Sequence, residues 1–226
     1  MKEGVTLVIT SMDRMDLLEK TVESFFRNNT YPITKTLIIE DSGKELDFSS
    51  VEQHIVGDYE IIQNETNLGQ FASLDKVYSK VETEWIFHCE EDWEFIDSGF
   101  IEDSMEVFES YQGKLFTVWV CASKIHKNPG RVLIGDHQTK SGKTFRILSP
   151  TDAMGGYTLN PGLRRTEDVM RPHPYRELSM NGQSNREWVL ARLYIQKWGY
   201  RAAWIVDSHY CEHLGYGRHI PRDLAL

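Results

Sequence analysis

The stretch WIFHCEEDWEF, residues 85–95, sets three carboxylates, Glu90, Glu91 and Asp92, directly after an apolar run. Side chains alternate along a strand, so if the strand runs on to position 92, Glu90 and Asp92 project from one face. Two acids converging at a strand end can hold a hard divalent cation through oxygen. The other reading of the same residues is a solvated acidic turn. Three more clusters of this kind follow apolar runs: TSMDR (10–14), EDSG (40–43) and NETNLG (64–69). Brought to one place, they suit a nucleotide with its metal, with carboxylates for Mg2+ or Mn2+, Arg14 for phosphate and Asp41 for a base N–H. For Arg14 a plain helix-surface arginine is the alternative.

The elements that would position these clusters alternate in kind. VTLVIT (5–10) reads as a buried strand. MDLLEKTVESFFRN (15–28) puts Leu18, Val22 and Phe25 on one helical stripe, with Asp13 as its N-cap. KTLIIE and YEII read as strands, and GQFASLDKVYSKV as a helix turning Phe71, Leu74, Tyr78 and Val81 inward. EWIFHC, the helix SGFIEDSMEVFESY and the strand KLFTVWVCA continue the rhythm. Strand–helix alternation predicts an α/β domain with a mostly parallel sheet flanked by helices. In such sheets ligands bind beyond the carboxyl ends of the strands, where all four clusters fall. Residues 123–150 lose the rhythm and hold a candidate hairpin, a small antiparallel extension. Beyond them come a short strand and helix in GGYTLNPGLRRTEDVM, an amphipathic helix in NREWVLARLYIQKWGY, and a strand with a histidine-rich tail in RAAWIVDSHYCEHLGYGRH.

The chain of 226 residues is long enough for one domain with a full core. A net charge of −9 argues against nucleic acid as a partner, which requires basic surface to displace counterions. No apolar run approaches the roughly 20 residues of a membrane span, and VTLVIT lacks the flanks of a signal peptide. The three cysteines, Cys89, Cys121 and Cys211, have no CxxC spacing and indicate no disulfide framework, so a reduced, cytoplasmic setting is expected. No internal repeat is present, and nothing in the sequence sets an oligomeric state.

In order, VTLVITSMDRMDLLEKTVESFF, LIIEDSG, NETNLGQFASL and WIFHCEEDW resemble the nucleotide-binding half of family 2 glycosyltransferases with the GT-A fold. GGYTLNPGLRR is similar to that family's acceptor-side strand, NREWVLARLYIQKWGYR to the helix after its Glu-Asp catalytic motif, and HLGYG to its late metal-binding histidine. The resemblance implies one GT-A-type, Rossmann-like domain over 1–226, with about 1–95 binding nucleotide sugar and about 96–226 holding acceptor and catalytic groups. It puts Asp92, Glu90 and His213 at the metal. Thr10, Arg14, Asp41, Asn67 and Gly69 take the nucleotide, Gly69 allowing close backbone approach. Leu74 stands where a basic residue is often found. Glu187 becomes the catalytic base, because Trp188 replaces the aspartate that usually serves; Asp152 is held in reserve. A glutamate complementing the helix dipole is the competing reading of Glu187.

The implied activity is transfer of a sugar from a nucleotide diphosphate sugar, UDP-sugar with Mn2+ first, to an acceptor hydroxyl on a glycan or similar molecule, with inversion. Two rivals remain. A sugar-phosphate nucleotidyltransferase would carry a Gly-rich basic loop after the first strand, which TSMDRMDLL lacks. A catalytically silent nucleotide- or glycan-binding module fits Glu90 in place of an aspartate and the missing acid at 188. His209, Cys211 and His213 alternate and would share a face as a zinc trio, a spacing too tight for common structural zinc motifs. His88 reads as core, while His126, His137 and His173 carry no assignable chemistry. Trp85, Trp119 and Trp204 read as core; Trp93 and Trp188 either pack or stack on a sugar ring.

Overall fold

Apolar residues at alternate positions of the first strand belong to two different cores, and this determines the layering. Val5, Leu7 and Ile9 enter one cluster and Val8 the other; Ile38 is divided in the same way from Leu37 and Ile39, and Phe87 and Cys89 from Ile86. Strands apolar on both faces must be covered on both. A computed structural model of the chain describes residues 1–121, 133–149, 157–178, 186–206 and 208–218. Asp152, Gly155, Gly156 and His126 lie outside the described residues, as does the side chain of Trp188.

Strands β1 (Lys2–Ser11), β2 (Ile33–Glu40), β3 (Tyr59–Gln63) and β4 (Thr83–Glu90) run parallel in the order β3-β2-β1-β4. The sheet continues through β9 (Gly162–Arg165), β6 (Leu115–Trp119), β10 (Arg201–Ile205), β8 (Thr144–Leu148) and β7 (Leu133–Gln138), nine strands among the described residues. β9 is antiparallel to both its neighbours, so β6 and β10 point the same way as β4. The expected hairpin is β7–β8, antiparallel at the edge. Helices α1 (Met15–Asn28), α2 (Ser49–Glu52) and α4 (Phe100–Ser110) cover one face. Helices α3 (Gln70–Tyr78) and α6 (Arg186–Ala191) cover the other, α6 continuing as a wider π turn over Arg192–Lys197. The short helix α5 (Thr166–Met170) follows β9. This is an α/β fold with a mostly parallel mixed sheet, and among the described residues no helix is long and apolar enough to cross a membrane.

Two local expectations change. Asp13 does not cap α1: it sits at φ 55°, in the left-handed region that Asp tolerates better than most residues. That turn sends its carboxylate to Lys44 and its N–H to Glu40 (3.0 Å), and leaves Arg14 at the N-cap position, where no side chain caps the helix. β4 stops at Glu90, so the alternation does not run on to Asp92. The chain turns at Glu91 and re-extends as β5 (Trp93–Phe95), which among the described residues pairs only with β11 (Cys211–His213). Helix α1 supplies what a second neighbouring strand would have given: the Thr21 hydroxyl donates to the Glu91 carbonyl (2.6 Å) and accepts the Trp93 N–H (3.1 Å), and Ser24 accepts the Phe95 N–H (3.0 Å). Buried backbone groups need such partners. Thr21 and Ser24 are therefore buried polar residues within an otherwise apolar stripe.

Candidate functional site

The carboxyl ends of β1, β2 and β4 open on a cleft of about 210 Å³, lined by Thr10, Met12, Arg14, Asp41, Asn67, Gly69 and Glu90 among others. All four clusters expected at this edge contribute. His88 is buried beneath it, bonded through Nδ1 to the Tyr78 hydroxyl at 3.0 Å, as a core histidine.

On the α1 side the site is an ion-pair network. Arg14 lies 2.6 Å from a Glu91 oxygen through Nη2 and 2.9 Å from Asp92 Oδ2 through Nη1, with both carboxylates almost fully buried. The Met12 N–H donates to the same Glu91 oxygen at 3.2 Å. Burial pushes the Glu91 carboxyl up to about 7 against the pull of Arg14. Asp92 is buried too, but His213 (Nε2 at 3.2 Å) and Arg14 outweigh desolvation and hold its carboxyl below the usual range. Arg14 is raised: burial opposes its charge, and Glu91 and Asp92 overcome that. Glu91 is the residue that sequence reasoning passed over. The available signal was an arginine at a strand end that, once inward, needs a buried acid.

Glu90 points elsewhere. Strand parity puts it on the α3 face with His88, and Oε1 accepts from Gln70 at 3.2 Å, while the turn at Glu91 carries Asp92 to the α1 face. On the β2 side, Asp41 Oδ1 accepts from Asn64 Nδ2 (2.7 Å) and the Leu68 N–H (2.8 Å). Asn67 Oδ1 takes the Gly69 N–H (2.9 Å), and Gly69, at φ 83°, starts α3 with backbone free of a side chain toward the cleft. Leu74 is fully buried, and the nearby base Lys76 bonds Asn64 at 2.7 Å. Buried Glu40 ties two loops together by accepting the N–H groups of Asp13 and Ser42.

Glu187, in the first turn of α6, is half-buried and accepts the Leu159 N–H at 3.0 Å through Oε1. His88 pairs with Gly162 across the antiparallel β4–β9 ladder, so the residues just before Gly162 run alongside Glu90, at the cleft's edge. Buried Arg164 fastens that loop through the carbonyls of Thr158 (2.7 Å) and Asn160 (3.0 Å).

The zinc trio does not assemble. His209 precedes β11 and faces Glu212 at 3.4 Å, while Cys211 is fully buried in the core. Trp93 is fully buried with its ring against His213 (5.0 Å), which is packing and not a sugar platform. Among the described residues no group of three His, Cys, Asp or Glu could hold a metal. Two side chains would be the ones to hold a divalent cation here, the rest of its coordination coming from a ligand or water. Asp92 keeps Oδ1 buried without a hydrogen-bond partner, His213 adds an imidazole nitrogen, and a β-carbon at Gly215 would collide with the Asp92 carboxylate. The carboxylate oxygen suits Mg2+ or Mn2+, and the imidazole nitrogen favours the first-row transition ions over Mg2+.

No protein-family model matches the sequence, and no curated protein matches it. Among solved structures the chain is similar to the mannosyltransferase PcManGT from Pyrobaculum calidifontis in complex with GDP-Man and Mn2+, with a TM-score of 0.60 and 12% identity over 89% of this chain and 54% of that one. It is similar to S. aureus TarS 1-349 in complex with UDP-GlcNAc, with a TM-score of 0.59 and 12% identity over 99% of this chain and 63% of that one. GalNAc-T7 with UDP, GalNAc and Mn2+ gives a TM-score of 0.59 and 15% identity over 93% and 43%. The chain thus spans less than two thirds of each of these proteins. The fold is the GT-A type of these glycosyltransferases.

Proposed function

We propose that the protein is a metal-dependent glycosyltransferase of the family 2 kind, moving a sugar from a nucleotide diphosphate sugar, UDP-sugar first, to a hydroxyl of a glycan or other acceptor. The observation that carries this reading is the buried Asp92–His213 pair held on Arg14, whose side chain reaches from that pair to the wall of the cleft. Asp41 keeps one carboxylate oxygen for a base N–H while the other organises the 64–68 loop. Thr10, Asn67 and Gly69 line the nucleoside wall, and Arg14, though bonded to Glu91 and Asp92, adds positive charge to the cleft wall for the diphosphate. Mn2+ or Mg2+ held by Asp92 and His213, with Glu90 on the adjoining wall, would supply neutralisation of the leaving diphosphate. Glu187 is the base for the acceptor hydroxyl, and a base on the face opposite the leaving diphosphate gives inversion.

A silent binding module is the second reading, favoured by the engagement of Glu187 with the Leu159 N–H. The test is a thermal-shift panel of UDP-, GDP- and CDP-sugars with and without Mn2+, followed by assay for free nucleotide diphosphate. Metal-dependent stabilisation with release of diphosphate supports the enzyme. Stabilisation without release supports the module, and stabilisation by none of them overturns both.

A further inference from the structure

At the opposite, amino edge of the sheet lies a second cleft of about 260 Å³, formed where β6 and β10 begin and where Trp85 pairs with Arg165. Five strand steps separate Trp85 from Glu90, about 16 Å at strand rise, so this cleft is independent of the nucleotide pocket. Three basic side chains line it, Lys114, Arg165 and Arg171, in a chain whose net charge is −9.

These cations are held by aromatic rings more than by acids. The Arg165 guanidinium lies over Trp85 (4.6 Å) and Phe108 (5.5 Å), and Arg171 over Trp198 (5.6 Å) and Tyr200 (5.7 Å). Lys114 Nζ sits 5.7 Å from the Tyr200 ring and donates to the Trp198 carbonyl at 3.3 Å. Among the described residues neither Lys114 nor Arg165 forms an ion pair, and Arg171 reaches Asp168 only at 3.9 Å. Two acids share the wall. Asp168 is buried and engaged by the Tyr200 hydroxyl, and Glu167 is exposed on the same helix. A guanidinium resting its face on a ring keeps its N–H edges for planar, bidentate contact with an oxyanion.

We propose that this cleft binds a phosphoryl group, carried on a small ester or on a polymer, at a site separate from the donor pocket. Trp85 and Trp198 lie under the two guanidinia, so their fluorescence reports occupancy. The full chain would be titrated at constant ionic strength with inorganic phosphate, a sugar phosphate and a phosphodiester polymer, with chloride as control. The expected result is a saturable emission change with at least one phosphate probe, weakened at least tenfold in the Arg165→Gln/Arg171→Gln double variant. Lys114→Gln, which leaves both ring contacts in place, should weaken it in the same direction. The probe that binds tightest identifies the source. No saturable change with any of the three, an equal response to chloride, or unchanged affinity in both variants would overturn the proposal.

Discussion

Asp92→Asn should produce two separable losses. Asp92 is not part of a solvated turn: it is 4% exposed, with Arg14 at 2.9 Å and His213 at 3.2 Å. Neutralising it removes a charge-assisted interaction worth about 1.5–3 kcal/mol. Arg14 keeps Glu91 at 2.6 Å, so the cost to the ligand-free fold falls near the lower bound. At about 2–4 °C per kcal/mol for a chain of this size, that is a drop in Tm of about 3–6 °C. The second loss concerns ligand. A nucleotide sugar with Mn2+ at a hundredfold over its Kd raises stability by about 2.7 kcal/mol. If losing the charged ligand weakens binding about 100-fold, the same concentration adds only about 0.4 kcal/mol. Differential scanning fluorimetry with and without UDP-sugar and Mn2+ reads both numbers. An Asn variant that keeps the full metal-dependent increment would refute the assignment, whatever its own Tm.

Asp41→Asn keeps an oxygen for the Leu68 N–H but loses the acceptor for a base N–H, so UDP should bind about 10–150-fold more weakly; an equal loss for CDP would restrict Asp41 to shaping the loop. Gly215→Ala drives a methyl into the Asp92 carboxylate and should abolish the metal increment at an overpacking cost of about 1–3 kcal/mol; unchanged metal-dependent binding would show that Asp92 is not used. Glu187→Gln retains an acceptor for the Leu159 N–H and should lose transfer by about 10²-fold while donor binding survives. Near-normal turnover, or a product of retained configuration, would remove Glu187 as the base.

The strands and their sheet were legible because their residues are apolar on both faces, and α1 because Leu18, Val22 and Phe25 recur at helical spacing. The convergence of the clusters at one edge followed from parallel topology alone. What was not legible depended on contacts distant in sequence. Glu91 is separated from Arg14 by 77 positions and Thr21 from the Glu91 carbonyl by 70, and no local pattern marks either pair. Strand parity also failed at Asp92, because the chain turns one residue earlier to meet α1. His213 was reached through resemblance; geometry brings it to Asp92 by way of β11, whose register with β5 sets His213 opposite Trp93.

The electrostatics of the edge explain why such a cluster can persist in a folded chain. Glu40, Asp41, Glu91 and Asp92 are each 5% exposed or less, and a buried carboxylate is tolerated only when donors or cations face it. Glu40 is met by backbone N–H groups, Asp41 by the Asn64 amide and the Leu68 N–H, Glu91 by Arg14, and Asp92 by Arg14 and His213. One guanidinium thus serves two acids, and Asp92 Oδ1 still lacks a donor. The local charge is balanced only in part, which favours a further cation at Asp92 and opposes a bare anion in the same cleft. A nucleotide diphosphate arriving with its metal satisfies both conditions. On this reasoning diphosphate without metal should bind weakly despite Arg14, and free Mn2+ should bind detectably in the absence of nucleotide. Calorimetric titration of each ligand alone and then together should therefore show positive coupling, with metal and nucleotide raising one another's affinity by the same factor. Independent, additive binding would mean that the acids serve the fold and not the ligand.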